Sequence, residues 1–350
     1  MLINTINVLH SPTDTGGNPW GLSRAERTHS VNSDVMVFRS SSYGYPADIN
    51  LGAKKIFSPG RELKRYWFLC SAIEKYNVFH FNFGKSILDY PYFLLNHLDL
   101  PLLKRKGKKI FFTLQGTDAR LMKTSALRYS MVPDFIKKRR INSIRRYADK
   151  IYALNPDLIR SCPEAEFLPY ASVDIREWTP SQGNGFENTF HIIHLPSKRK
   201  IKGTKYIINA VNRLKQEGHR LDLLVVEKTP HNCLKDIYKK ADLVVDQLLI
   251  GWYGAVSVEA MACGKPVVCY IKREDLQFIP QQMRNDLPVI NAQPDTIYGV
   301  LKEIVKNRET LSGLGQKSRA YVERWHNPLE IAKKVIKDYE NALCNGYKKR

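Results

Sequence analysis

Short runs of apolar, often β-branched residues alternate along this chain with longer segments whose apolar positions recur every three or four residues. The first pattern belongs to buried strands and the second to amphipathic helices. The pattern predicts a strand over 3–10, ending in Ser11-Pro12-Thr13-Asp14-Thr15-Gly16-Gly17, and a helix over 20–28. Further strands are predicted over 35–38, 78–83, 110–114 and 150–154, with helices over 61–76 and 133–148. A stretch at 179–185 holds two Gly, one Pro and no large apolar residue, and reads as a linker. The alternation then restarts, with strands over 190–195, 221–227, 243–246 and 267–271 and helices over 206–217, 234–240 and 255–262. Gly264 stands where a left-handed residue stops the last of these helices, and Pro266 prevents its continuation.

Strand–helix alternation of this kind predicts parallel sheets covered on both faces. The expected fold class is α/β, with two doubly wound, Rossmann-like domains facing a cleft and ligands at the carboxyl ends of the strands. The expected division is a first domain over 1–178, a linker over 179–188, a second domain over 189–326, and a helix with a basic tail over 327–350. In that last helix Asn327 is the cap, Pro328 suits the first turn, and Leu329, Ala332, Ile336, Tyr339 and Leu343 form an apolar stripe. The stripe either closes the second domain or crosses back to brace the first.

Composition narrows the class. The 350 residues are 43% hydrophobic and 25% charged, as in a soluble globular chain, and the length favours two domains. No run approaches the roughly 20 apolar residues of a membrane span, and the start has no basic segment before an apolar one. A cytoplasmic protein is expected. The six cysteines contain no C-x-x-C pair and read as reduced thiols, and the nine histidines show no metal-ligand spacing, so no metal is expected.

Charge changes the picture more. Lys and Arg number 55 against 34 Asp and Glu, a net of +21. Residues 101–150 hold 15 Lys/Arg against 3 Asp/Glu, so +12 of that total lies in one seventh of the chain. Such a patch attracts an anionic membrane, nucleic acid or an acidic ligand, or is simply a solvated face. With no zinc-finger spacing, RNP-like motif or helix-turn-helix, nucleic acid is not the expected partner. The remaining expectation is a peripheral seat on the inner face of an anionic membrane through residues 104–146.

The densest candidate chemistry runs from Asp246 to Val268. A strand ends there in a glycine-bearing turn that opens directly into a helix, and the first N–H groups of such a helix form a ready phosphate site. Gly251 and Gly254 let backbone approach a ligand, and Glu259, one turn in, is an acid suited to accept hydrogen bonds from sugar hydroxyls. An ordinary βαβ crossover with a surface Glu fits the same spacing.

The segment Glu259-Ala260-Met261-Ala262-Cys263-Gly264-Lys265-Pro266-Val267-Val268 resembles the donor-binding signature of GT-B glycosyltransferases, in particular retaining family 4. The resemblance implies that Glu259 holds the ribose hydroxyls of a nucleotide sugar and that the amides around Tyr253, Gly254 and Ala255 hold its pyrophosphate. The first Glu of the family pattern falls on Gly251. Lys198-Arg199-Lys200-Ile201-Lys202-Gly203 resembles the family's Arg…Lys-Gly segment, which assigns to Arg199 and Lys202 the charge of the departing diphosphate. Gly16 and Gly17 lie in a segment resembling the family's Gly-rich loop, and also fit a tight turn without a ligand. Gln115-Gly116-Thr117-Asp118 resembles its His-Gly-Ser/Thr-Asp segment, with Gln115 in the place of the sugar-contacting His. Asp118 either contacts sugar or acceptor or caps the next helix. Pro169-Tyr170-Ala171-Ser172-Val173-Asp174 is similar to the end of the family's first domain.

The resemblance thus implies a metal-independent transferase without a cofactor, moving a sugar from a nucleotide-sugar donor to a glycan or lipid-linked acceptor, in polysaccharide or glycoconjugate synthesis. The alternatives are a nucleotide-sugar epimerase of the same fold and a non-catalytic basic membrane-binding module.

Overall fold

The computed structural model describes residues 5–41, 43–52, 59–90, 95–121, 132–181 and 189–347. The described chain forms two compact units. One comprises the residues up to Ser172 together with the C-terminal helix from Pro328, and the other runs from Val173 to Asn327.

The first unit is built on strands β1 (Asn7–Ser11), β2 (Asn32–Val37), β3 (Ile49–Asn50), β4 (Val78–Asn82), β5 (Lys109–Leu114), β6 (Lys150–Ala153) and β7 (Glu166–Phe167). Between them lie α1 (Asn18–Thr28), α2 (Pro59–Lys75), α3 (Leu100–Arg105) and α4 (Asp134–Tyr147). The sheet order is β3-β2-β1-β4-β5-β6-β7, and every pairing is parallel. All five residues of central β4 are buried, as a parallel strand covered on both faces requires. Leu69, Phe79, Phe81, Ile110, Phe112 and Ile144 belong to the core on one side of this sheet.

The second unit carries β8 (Phe190–His194), α5 (Arg199–Lys202), α6 (Thr204–Gln216), β9 (Leu221–Val225), α7 (Leu234–Lys239), β10 (Leu243–Val245), α8 (Ala255–Ala262), β11 (Val267–Cys269), α9 (Gln281–Asp286), β12 (Ile290–Asn291), α10 (Ile297–Lys306) and α11 (Leu311–Trp325). Its parallel sheet runs β12-β11-β10-β8-β9. Residues 173–178 of the expected first domain and 179–181 of the expected linker pack here. Arg319 Nη2 donates to Ile175 O at 2.9 Å, and Ser181 N–H donates to Cys263 O at 3.2 Å. Linker residues 182–188 and tail residues 348–350 lie outside the described residues.

The final helix, α12 (Pro328–Tyr347), crosses back and packs on α1 and β5 of the first unit. Its buried stripe is Ile331, Ala332, Val335 and Tyr339, so Leu329, Ile336 and Leu343 of the expected stripe sit at the rim. Tyr339 reaches a buried polar cluster: its hydroxyl lies 2.5 Å from His80 Nδ1 and donates to Glu26 Oε1 at 3.0 Å. Glu26 Oε2 lies 2.8 Å from His10 Nε2 and accepts from Ser33 Oγ at 2.6 Å. His80 Nε2 meets Thr113 Oγ1 at 2.7 Å, so both nitrogens of that ring are engaged. Burial, reinforced by His10, holds His80 well below the usual histidine range. No helix among the described residues is long and apolar enough to cross a membrane.

Candidate active site

In the second unit, the carboxyl end of β10 gathers donors around one carboxylate. Asp246, 1% exposed, follows β10 directly. Its Oδ1 accepts from Lys202 Nζ at 2.8 Å, and its Oδ2 accepts from Gly254 N–H and Ser257 Oγ, each at 2.8 Å. Lys202 arrives there because α5 ends at it, and Gly203, left-handed at φ 80°, turns the chain into α6. Gly254 and Ser257 arrive because β10 leads through the 246–254 turn into α8. Burial alone would raise the Asp246 carboxyl. The Lys202 charge and hydrogen bond, with Gly254 and Ser257, outweigh it and keep the group below the usual carboxylate range. Nearby, His194 bridges Val245 O at 2.7 Å and Thr204 Oγ1 at 2.8 Å, and burial draws it down to about 4, so it is neutral at pH 7.

The expected donor-site residues thus fall in distinct positions. Lys202 and the Gly254 amide come together, but on Asp246. Ala255 opens α8, whose first turn leaves N–H groups without intrahelical partners. The Tyr253 side chain is buried, its hydroxyl 2.9 Å from both Tyr321 Oη and His326 Nε2, so only its backbone is left to meet a ligand. Arg199 does not join them: its exposed guanidinium holds Glu227 Oε2. Glu259 is 1% exposed, with Oε2 accepting from Tyr238 Oη and Oε1 meeting His231 Nε2, each at 2.9 Å. It is an inward-facing acid, and the side chain beside it with some exposure is His231.

Gly251 explains the missing first Glu. Its φ is 85°, and a Cβ there would stand 2.9 Å from Lys272 Cβ. The left-handed backbone and the lysine stem together exclude a side chain.

The first unit's expected residues lie at the carboxyl ends of β1 and β5. Gly16 and Gly17 are both left-handed, at φ 63° and 67°, in the short turn between β1 and α1. After β5, both Asp118 oxygens accept from Gln115 N–H, and Oδ1 also takes Gly116 N–H at 2.6 Å. Asp118 therefore closes this turn. Burial raises its carboxyl, against the opposing pull of those amides and Arg140. Gln115 Nε2 donates to Asn82 Oδ1 at 3.3 Å.

Asp246 and His231, which bond to the expected site residues Lys202, Gly254 and Glu259, are given no role by sequence reasoning. The one signal for Asp246 is an acid at the end of an apolar strand. His231, in a Pro-His-Asn loop, offers none.

The basic stretch is only partly a surface. Lys137 and Arg140 are buried, with Lys137 Nζ donating to Arg120 O at 2.6 Å and Arg140 Nη2 bound to Asp89 at 2.9 Å. Lys104 pairs with Asp149 and Arg145 with Glu164. The outer face of α4 carries Phe135, 61% exposed, with Lys138, Arg139, Arg145 and Arg146.

No family model and no curated protein sequence matches the chain. Solved structures do. Sucrose-phosphate synthase from Thermosynechococcus elongatus superposes with a TM-score of 0.68 at 15% identity, over 98% of this chain and all of that one. Anabaena HepE in complex with UDP-glucose gives 0.65 at 13% identity, over 97% of this chain and all of its own. A glycosyltransferase from Rickettsia africae gives 0.65 at 12% identity, covering 97% and 99%. With two parallel-sheet α/β units in one chain, matched along nearly their whole length, this protein has the GT-B fold.

Proposed function

We propose that this protein is a retaining, metal-independent glycosyltransferase that moves a sugar from a nucleotide-sugar donor to a glycan or lipid-linked acceptor in polysaccharide or glycoconjugate synthesis. The observation that carries this reading is the convergence of Lys202 Nζ, Gly254 N–H and Ser257 Oγ on one carboxylate at the mouth of α8. A place that solvates the Asp246 anion so fully has the donors a pyrophosphate needs, and the donor-signature residues follow it along the same helix. The fold shared with a protein solved with UDP-glucose supports the same reading.

In this mechanism the donor diphosphate takes hydrogen bonds from the first turn of α8 and draws Lys202 from Asp246. Glu259 receives ribose hydroxyls in place of its contact with His231. Arg199, exposed and paired with Glu227, turns to the distal phosphate. As the nucleoside diphosphate departs, these cations and the helix end stabilise the growing negative charge, the part a metal plays in other transferases. No cofactor is required beyond the donor. The first unit holds the acceptor, and the outer face of α4, an exposed aromatic ring among four basic residues, seats the enzyme on an anionic membrane.

The donor site is tested by the melting temperature of the whole protein with millimolar UDP, GDP, ADP or CMP. One diphosphate is expected to raise it by several degrees, and Glu259→Gln to weaken that ligand about tenfold or more while staying folded by circular dichroism. If no nucleotide shifts the melt, the transferase reading fails.

A further inference from the structure

Lys85 stands just past β4, at the carboxyl edge of the first unit's sheet, the edge where open α/β sheets receive ligands. The two residues before it are both left-handed, Phe83 at φ 59° and Gly84 at φ 55°. A phenylalanine in that conformation is costly and persists only where its surroundings enforce it, and such residues cluster at ligand sites. The enforcement is visible on every side. Phe83 N–H donates to Thr113 O at 3.0 Å, and Gly84 O accepts from His97 Nε2 at 3.1 Å and from Arg140 Nη2. Ser86 Oγ and Ile87 N–H donate to the Asp99 carboxylate at 2.5 and 2.8 Å. A Cβ on Gly84 would meet Asp118 at 3.4 Å.

All this fixes a half-buried ammonium that has no hydrogen bond or ion pair among the described residues. The Phe83 ring lies 5.5 Å from it. The acids around it are committed elsewhere: Asp89 to Arg140 at 2.9 Å, and Asp118 to the amides of Gln115 and Gly116. Arg140, buried alongside, has its own Nε unpartnered, and Arg39 adds a further positive charge. Burial and then Arg140 lower Lys85 from the usual lysine value, against the pull of Asp89 and Asp118.

We propose that Lys85, beside Arg140 on the rigid Phe83–Gly84 turn, is a binding residue for an oxyanion, and that the acceptor reaching this edge carries a carboxylate or phosphate. Naming that ligand the acceptor rests on the transferase reading, whereas oxyanion binding at Lys85 does not. An anion here gives the Lys85 ammonium a partner and offsets the excess positive charge that Arg140 and Arg39 contribute.

The test is NMR of the full-length protein with its lysines dimethylated with carbon-13, the Lys85 signal being the one absent from Lys85→Arg. Glucuronate, glucose 6-phosphate and neutral glucose are titrated in turn. The Lys85 signal is expected to shift with glucuronate, glucose 6-phosphate or both, and not with glucose, the two anionic arms separating carboxylate from phosphate. Lys85→Gln should weaken the effective anion about tenfold by calorimetry. Should the variants not fold, the pH series on the unmutated protein decides. Glucuronate does not titrate above pH 6, so its binding must weaken as pH rises through the Lys85 value, because only the ammonium holds it. No shift with either anion, an equal shift with glucose, or binding indifferent to pH overturns the proposal. A protein that binds glucuronate here but no nucleotide would retain this site and lose the transferase reading.

Discussion

Asp246 shows how a single buried carboxylate can set a site's geometry. It receives one side-chain cation, one amide and one hydroxyl, and each would otherwise be an unsatisfied donor at the mouth of α8. Asp246→Asn keeps the volume but removes the charge that holds Lys202, and breaking a buried pair in this way costs about 3 kcal/mol. Urea unfolding at pH 7 should show a loss of that order, and parity with the unmutated protein would refute the assignment. Because the folded carboxyl lies below its usual value, its contribution is complete above about pH 4 and is lost as pH falls through the folded value. The Asn variant should lack that part of the acid sensitivity. The segment from Asp246 to Val268 is legible in the sequence because strand, glycine turn and helix are adjacent there. The partners of its side chains are not, since Asp246 lies 44 residues from Lys202 and Glu259 lies 28 from His231. Such pairs are made by sheet order, which no local pattern encodes.

Among the elements, α12 is the one whose placement matters most. Its stripe covers α1 and β5, and Tyr339 carries a hydroxyl into the His10–Glu26–His80 cluster. Tyr339→Phe leaves the ring's packing and strips His80 Nδ1 and Glu26 Oε1 of a shared partner, which costs about 1–3 kcal/mol. A melting temperature lowered by several degrees checks it, and no change would mean the cluster is satisfied without Tyr339. That this helix exists is plain from its three- and four-residue spacing. Its destination is not, because a stripe says that something is covered and not what. The strands of five or six residues and α8 are also readable. The two-residue strands β3, β7 and β12 are too short to show any period. Within α11, Gly313 and Gly315 weaken the helical signal, although α10 offers Ile297, Leu301 and Val305 at regular spacing.

At the scale of the whole molecule, charge is the dominant quantity. A net of +21 makes a field that any anionic surface feels, and α4 presents part of it beside an exposed phenylalanine. The protein is expected to float with phosphatidylglycerol vesicles at low salt, to leave them at about 0.5 M salt, and to ignore phosphatidylcholine. Arg139→Glu with Arg146→Glu should weaken the association, and failure to float at low salt would end the membrane reading. Counting residues reveals the charge but not its disposition. Lys137 and Arg140 look like the rest of the run and are buried, since helix phase, not composition, decides which basic residues meet water. The return of α12 also orders events in time. During synthesis the first unit leaves the ribosome without the helix that covers α1 and β5, and the entire second unit must be translated before that helix emerges. Until then the nascent chain carries an uncovered apolar face and an incomplete Glu26–His80 network, so a chain broken off before Pro328 would leave the part made first unfinished.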